Sequence, residues 1–220
     1  MATRTSSPPR PAGTVLPSTG DPSTVMCATP RQTPFGLDGQ FTYQGLVERT
    51  NTDLANDLGN LLHRTLGMLD RYLERKVPRP PAGREPVDAG LIAVADGLAI
   101  RVDAHLRGCQ FSLALEAIWE LVRSANQYVQ RNEPWVLAKA PDRRGRLADV
   151  LYNLTEVCRL LSVWLAPFMP GASHRMRDRL GLPAALEGTL DDLTRWGQMP
   201  PETAVHRGDP LFPRVELDDM

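Results

Sequence analysis

A long leucine-rich segment with helical spacing is the feature that most constrains the fold of this chain. Between Thr42 and Lys76, apolar side chains recur every three or four residues, as they do on one face of an α-helix. No window of the 220-residue sequence alternates convincingly with the period of two that marks a half-buried strand. The segment therefore predicts a long amphipathic helix whose apolar face must be covered by other helices. That face consists of Leu54, Leu58, Leu61, Leu62, Thr65, Leu69 and Tyr72.

Three more segments show helical periodicity, and each is bounded by residues that end helices. The second helix is predicted roughly over 88–106, after the proline-rich loop VPRPPAGREPVD. The third begins near residue 110 and ends at Pro134, because proline lacks an amide donor and its ring clashes with the preceding turn. The fourth covers about 145–165. Amphipathic helices joined by short loops predict an all-α fold, an antiparallel helix bundle.

Both ends of the chain lack this periodicity. Residues 1–33 are rich in Pro, Ser, Thr and Gly, and they carry too little apolar surface to offset the entropy of ordering. We therefore expect a disordered tail over 1–33 and a helical domain over 34–217. A short helix is expected within 172–181, and the segment after it is expected to be mostly irregular.

Composition limits the compartment and the class of partner. The formal net charge of -1 argues against a non-specific nucleic-acid coat, which would need a strongly basic surface. The cysteines are odd in number and form no CxxC pair, so they favour a reducing compartment over a zinc site or a disulfide framework. The sequence shows no secretory signal and no apolar run long enough to span a bilayer. We expect a cytoplasmic location without membrane contact.

Motifs of catalytic and cofactor sites were sought and none was found. The sequence contains no Gly-rich phosphate loop, no GxSxG and no HExxH. Its four histidines are isolated, and its carboxylates lie at helical spacing on polar faces. The sequence therefore predicts no catalytic residues, no metal site and no cofactor.

A polar stripe on the first helix is the most specific functional signal. Asn60, Arg64, Gly67 and Arg71 follow the spacing i, i+4, i+7, i+11, so they share one face of a helix. At about 100° per residue, that face lies away from the leucines. Amide and guanidinium groups suit base edges and phosphates, and a glycine allows close approach. Spacing alone, however, favours an ordinary solvated face.

Trp135 stands directly after Pro134, at the predicted helix break. An exposed indole there, near the polar stripe, could stack on an unpaired RNA base, an interaction worth roughly 1–3 kcal/mol. The alternative is that the ring packs under the following segment VLAKA. Trp119 and Trp164 lie close to apolar faces and are predicted to be core residues. Asn126 lies on an apolar face and is predicted to make a buried hydrogen bond between helices.

Five stretches, in order, resemble the anticodon-binding region of bacterial methionyl-tRNA synthetases: PFGLDGQF, NTDLANDLGNLLHR, ANQYVQRNEPWVLAK, LAPFMP and DPLFPRVE. The resemblance covers about residues 33–217. It implies a helix bundle of the class I tRNA synthetase anticodon-binding type that recognises the CAU anticodon of methionine tRNA. Asn60 and Arg64 match the family's Asn and Arg that contact anticodon bases, and Trp135 matches the family's Trp that stacks on one.

The resemblance does not extend to the family's catalytic half. Motifs of the HIGH and KMSKS type, which serve methionine–tRNA ligase activity in that family, are both missing from the sequence. We therefore expect a tRNA-binding domain that is no enzyme on its own. It would need a separate catalytic subunit to take part in aminoacylation, or it would act as a tRNA-binding accessory. Two alternatives stay open: a truncated or split ligase fragment without independent activity, and a helical protein-interaction module.

Overall fold

The computed structural model describes residues 43–83 and 85–216, and helices dominate it. Within these ranges no strand forms, and extended backbone pairs only in an isolated bridge between Lys76 and Ala204. None of the helices in these ranges is both long enough and apolar enough to cross a membrane. The predicted tail over 1–33 and the first residues of the predicted domain lie outside the described residues.

The first predicted helix is continuous from Tyr43 to Tyr72, but its middle is wound more loosely than an α-helix. Helix α1 spans Tyr43–Arg49, a π-helical segment spans Thr50–Gly59, and α2 spans Asn60–Tyr72. The predicted apolar face is buried except for Tyr72, which is half-buried. Asn60, at the start of the polar stripe, is the residue at which α-helical winding resumes. Irregular π winding of this kind is frequent at functional sites.

The remaining helices follow the predicted order with two differences. The predicted second helix is two helices that meet at Gly97, because glycine is a poor helix former. The predicted third helix ends at Asn132, where Glu133 adopts a left-handed φ of 42°, and Pro134 begins a new short helix. The helices are α3 (Pro86–Asp96), α4 (Leu98–Arg107), α5 (Phe111–Asn132), α6 (Pro134–Leu137), a 3-10 turn (Pro141–Arg143), α7 (Arg144–Trp164), α8 (Pro170–Arg179) and α9 (Leu190–Thr194).

Side-chain bonds along the bundle show that successive long helices run in opposite directions. In the bonds that join α5 to α3 and α4, residue numbers rise along one helix as they fall along the other. The same holds for the bonds that join α5 to α7. The bonded pairs are Asp88 with Tyr128, Arg101 with Glu120, Tyr128 with Asn153, and Asn132 with Arg146. The all-α, antiparallel bundle is therefore confirmed. Its core includes Trp119 and Trp164, which are 1% and 3% exposed and thus lie in the core as predicted.

A buried polar network fixes the end of the bundle near α6. The Asp88 carboxylate accepts two hydrogen bonds from the Arg146 guanidinium, at 2.7 and 2.8 Å, and one from the Tyr128 hydroxyl at 2.5 Å. Arg146 also donates to Asn132 at the last turn of α5. Burial opposes ionisation of Asp88, but the bonds from Arg146 and Tyr128 outweigh it and lower the pKa of the carboxyl. The network ties α3, α5 and α7 together just before the chain turns into α6.

The C-terminal segment, predicted to be irregular, is ordered by contacts with the first helix. Residues 204–215, called the C-terminal strap below, run antiparallel to that helix along most of its length. The Val205 amide donates to the Arg75 carbonyl at 2.8 Å, and the Asn51 side chain forms two bonds with the Val215 backbone at 2.8 and 2.9 Å. Phe212 packs on Gly59 between these two points. The strap thereby covers one side of the helix that carries the polar stripe.

A second buried ion pair holds the segment before the strap on α7. The Glu156 carboxylate pairs with Arg159 and also accepts hydrogen bonds from the amides of Gly197 and Met199, at 2.7 and 2.8 Å. Arg159 in turn donates to the backbone carbonyl of Leu193 at 2.6 Å. Because every part of this pair is bonded, the irregular segment is fixed without regular secondary structure.

Candidate nucleic-acid interface

The polar stripe lies on the surface of α2, with contacts from the C-terminal strap on one side and from helix α6 on the other. At about 100° per residue, His63 and Gly67 lie within about 40° of each other on α2, and Arg64 lies about 100° from His63. Gly67 faces the strap, because a Cβ atom on it would lie 3.4 Å from the Arg207 guanidinium. Arg64 faces Trp135 of α6. We call this surface the α2 groove; its floor is Asn60, Arg64, Gly67 and Arg71, and its sides are Trp135 and the strap.

Trp135 is half-buried, which lies between the fully exposed ring and the packed ring that the sequence left open as alternatives. Its side chain packs against the hydrophobic core, and the residue as a whole remains partly exposed. The left-handed Glu133 and the helix start at Pro134 place the ring one residue into α6, rather than at the end of α5. The side chains of Pro134 and Leu137 are buried and anchor this short helix. Trp135 is therefore held in place by the core and is neither fully buried nor fully exposed.

Arg64 makes the contact that joins the polar stripe to the indole. Its guanidinium carbon lies 5.7 Å from the centroid of the Trp135 ring, within the range of a cation–π interaction. Among the described residues Arg64 pairs with no carboxylate, and its side chain is half-buried. Its N–H donors thus lie beside the indole and form no hydrogen bond with the described residues.

Asn60 is exposed, and its side chain makes no hydrogen bond to the part of the chain that the structure describes. It lines a cleft of about 520 Å³ between the first helix and the strap. The other lining residues are Ala55, Asn56, Gly59, His63 and the segment Pro210, Leu211, Phe212, Pro213 and Arg214. A side-chain amide carries both donors and an acceptor, so Asn60 offers both to a ligand entering the cleft.

Asn126 makes the predicted bond between helices. Its side-chain amide donates to the backbone carbonyl of Asp57 at 3.3 Å, and the contact is partly buried. The bond joins α5 to the π-helical segment about one turn before Asn60. It therefore fixes α5 against the helix that carries the polar stripe.

The basic residues contributed by the strap and α8 were missed by the sequence analysis. Burial first, and then the nearby positive charges of Arg207 and Arg179, lower the pKa of His63 on α2. Gly67 was predicted to allow close approach of another group, and in the structure that group is the Arg207 guanidinium of the same chain. The apolar pair in DPLFPRVE, buried as Leu211 and Phe212, could have indicated that this segment folds back onto the bundle.

Groups of ionisable side chains that could hold a metal ion were also sought. Among residues 43–83 and 85–216, no cluster of three or more His, Cys, Asp and Glu has suitable geometry. In this part of the chain, the groove thus offers amide, guanidinium and aromatic groups as its means of binding a ligand.

Two family models match the sequence, and they cover adjacent parts of it. The model described as the anticodon binding domain of methionyl tRNA ligase matches residues 87–220. The model described as tRNA synthetases class I (M) matches residues 27–66, which include the polar stripe up to Arg64.

Similar whole proteins are methionine–tRNA ligases. The ligase of Caldanaerobacter subterraneus subsp. tengcongensis is 43% identical over 193 residues, covering 86% of this chain and 29% of the ligase. The Bacillus subtilis ligase is 38% identical over 189 residues, with 86% and 28% covered. The crystal structure of the apo form of Mycobacterium tuberculosis methionyl-tRNA synthetase superimposes with a TM-score of 0.82 at 36% identity, covering 88% of this chain and 39% of that one.

The chain thus spans less than a third of the length of the Caldanaerobacter and Bacillus ligases and 39% of the Mycobacterium tuberculosis chain. The match to the anticodon-binding model covers more than half of the chain, and the superposition covers 88% of it. This chain belongs to the family of methionyl-tRNA ligase anticodon-binding domains.

Proposed function

We propose that this chain binds methionine tRNA and recognises its CAU anticodon through Asn60, Arg64 and Trp135, without an aminoacylation site of its own. The observation that carries the proposal is the placement of the Arg64 guanidinium 5.7 Å from the Trp135 ring centroid, on the helical stripe that begins with Asn60. Two polar side chains without partners in the described part of the chain and an accessible indole share one groove. Such a groove fits an unstacked nucleotide.

The accessible part of the Trp135 indole would serve as the stacking surface. Stacking of a base on an aromatic side chain contributes roughly 1–3 kcal/mol and tolerates any base. The ring is already fixed by the core and by Arg64, so little conformational entropy would be lost when a base docks. Stacking alone therefore supports affinity, and selectivity must come from the polar neighbours.

Asn60 and Arg64 would supply that selectivity. Single-stranded RNA is recognised through the Watson–Crick edges of splayed bases. The edge of cytosine carries two acceptors and one amino donor; Arg64 can donate to the acceptors, and the carbonyl of the Asn60 side chain can accept from the amino group. Uracil presents a donor where cytosine has its ring acceptor, so the same pair of side chains would bind it less well.

Aminoacylation would require groups that this sequence does not contain. The HIGH and KMSKS motifs that activate methionine in the family are missing, and the similar ligases are much longer chains. A methionine-activating unit, on the same or on a separate polypeptide, would have to supply those groups. The chain itself would provide recognition of the tRNA.

The test is a titration with RNA stem-loops that differ only in the anticodon. The wild-type chain is expected to bind a CAU stem-loop at least about tenfold more tightly than one with an altered first anticodon base, a difference of about 1.4 kcal/mol. Asn60→Ala should reduce this ratio. Arg107→Gln is the matched control, because Arg107 is exposed on α4 and pairs with Asp103 away from the groove.

Equal binding of both stem-loops by the wild-type chain, or no binding of either, would refute the proposal. No binding by a well-folded chain would instead favour a fragment without independent activity. Binding of a protein partner that is unchanged by RNA would favour the interaction module.

A further inference from the structure

Arg179, the last residue of α8, is a buried cation whose charge the described residues do not satisfy. Its side chain is 8% exposed, and it donates no hydrogen bond to any described residue. The Nη1 atom is fully buried and has no partner. A buried guanidinium without an acceptor is among the costliest arrangements in a folded protein, so its retention calls for a ligand or partner.

The strap holds this guanidinium in place through its backbone. Gly208 approaches so closely that a Cβ atom on it would lie 3.2 Å from Nε and 3.4 Å from Cζ of Arg179. The amide of His206 also donates to the Arg179 carbonyl at 2.9 Å. The guanidinium is thus positioned by contacts that leave its hydrogen-bond donors unused.

Nearby charges do not replace the missing acceptor. Burial, and then Arg175, lower the pKa of Arg179, while Asp209 and Asp178 act in the opposite direction without outweighing them. Asp178 is already paired with His206 at 3.2 Å. The balance of these effects leaves Arg179 short of negative charge.

Two more nitrogen-bearing groups belong to this region, and neither has an acceptor among the described residues. Arg207 extends over Gly67 and pairs with no carboxylate among the described residues. His63 is half-buried, and its Nδ1 atom is buried without a partner. The Arg207 guanidinium lies over Gly67, one turn from His63 on α2, and Gly208, next to Arg207, contacts the Arg179 guanidinium, so the three groups converge on one side of α2. His63 also lines the same cleft as Asn60, one helical turn away.

We propose that Arg179, Arg207 and His63 form a binding site for a phosphate group, which would be a backbone phosphate of the RNA strand whose base lies in the α2 groove. This inference rests on the proposed tRNA-binding function and names a contact that function did not include. Guanidinium groups match the oxygens of a phosphate through paired, charge-assisted hydrogen bonds. The continuity of the cleft from His63 to Asn60 lets one strand reach both places.

The first experiment replaces Arg179 with methionine, which has a similar length and no charge. If Arg179 served only to stabilise the fold, its replacement would lower the melting temperature. If Arg179 serves to bind a ligand, its replacement should leave the melting temperature unchanged or raise it, because the substitution removes an unpaired buried cation. At the same time, affinity for the CAU stem-loop should drop about tenfold.

A phosphate contact also has its own signature in salt and in sequence dependence. The slope of log K against log salt should become shallower by about one unit in Arg179→Met and in the exposed variant Arg207→Gln. Both variants should weaken the CAU stem-loop and the altered stem-loop by the same factor, so their ratio stays at the wild-type value. Arg107→Gln again serves as the control of equal charge change.

A set of stem-loops, each with one neutral methylphosphonate linkage in the loop, locates the phosphate. One linkage should lower wild-type affinity and cause no further loss in Arg179→Met. If wild type discriminates between anticodons while Arg179→Met and Arg207→Gln keep its affinity and salt slope, this inference is overturned and the proposed function stands. If the wild-type chain does not discriminate between the two stem-loops, the proposed function is refuted. In that case, Arg207→Gln tests the phosphate site through non-specific RNA binding, and an unchanged affinity would overturn that site as well.

Discussion

Replacing Trp135 with alanine tests whether the indole serves RNA binding or only packing. A fully buried Trp→Ala change typically lowers the free energy of unfolding by about 3–5 kcal/mol. Because Trp135 is only half-buried against the core, we expect a smaller loss of about 2 kcal/mol from packing. The lost cation–π contact with Arg64 adds about 0.5–1 kcal/mol. The free energy of unfolding should thus fall by about 2–3 kcal/mol, and the melting temperature by about 5–10 °C for a domain of this size.

The effect on RNA binding is separable from this loss of stability. A stability of about 5–15 kcal/mol leaves the variant folded at 25 °C, so affinity can be measured on the native state. Removing the stacking surface should weaken binding of the CAU stem-loop by about 1–3 kcal/mol, or about 5- to 150-fold. The measurements are thermal unfolding by circular dichroism and RNA titration by fluorescence anisotropy.

Trp196→Ala is the matched control for this variant. Trp196 is also half-buried and packed on the same core, but it lies in the C-terminal segment beside Asp88 and Asn153. Its loss should lower the melting temperature by a similar amount and leave RNA affinity unchanged. A folded Trp135→Ala that binds the CAU stem-loop within twofold of wild type would refute the reasoning, because it would show that the ring only packs.

Two further variants test other parts of the structure. The pKa of Asp88 is lowered in the fold, so its contribution to stability is present at neutral pH and is lost as pH falls through that lowered pKa. Asp88→Asn removes the carboxylate that accepts two hydrogen bonds from Arg146 and leaves only the more exposed Glu85, at 3.5 Å, as its anionic partner. The change should cost about 3–5 kcal/mol at pH 7 and weaken the acid dependence of urea unfolding; an unchanged acid dependence would contradict this. Gly67→Ala adds a Cβ atom 3.4 Å from the Arg207 guanidinium. The substitution should stabilise the helix by about 0.5–1 kcal/mol, because alanine is a better helix former than glycine. It should also displace Arg207 and so weaken RNA binding several-fold in a titration. An affinity equal to that of the wild-type chain would show that the Arg207 side chain moves aside without loss of binding.

The helices could be predicted from the sequence because their signal is local. The buried leucines from Leu54 to Leu69 repeat with the period that backbone hydrogen bonds impose within the helix itself, and Pro134 marks a break by its own covalent structure. The position of Gly97 could have suggested the division of the second helix. The π winding before Asn60 left no such signal, because it changes the hydrogen-bond partners without changing the apolar pattern.

By itself, the sequence determined the bundle, the family and the stripe that begins with Asn60, since residues on one helix keep a fixed angular relation. Only the tertiary structure decided what faces that stripe. The strap has no periodicity, and its course depends on contacts such as that between Asn51 and Val215, which lie 164 positions apart. The convergence of Arg179 and Arg207 beside His63 follows from that course. Charge placement of this kind depends on long-range packing, which a linear pattern does not encode.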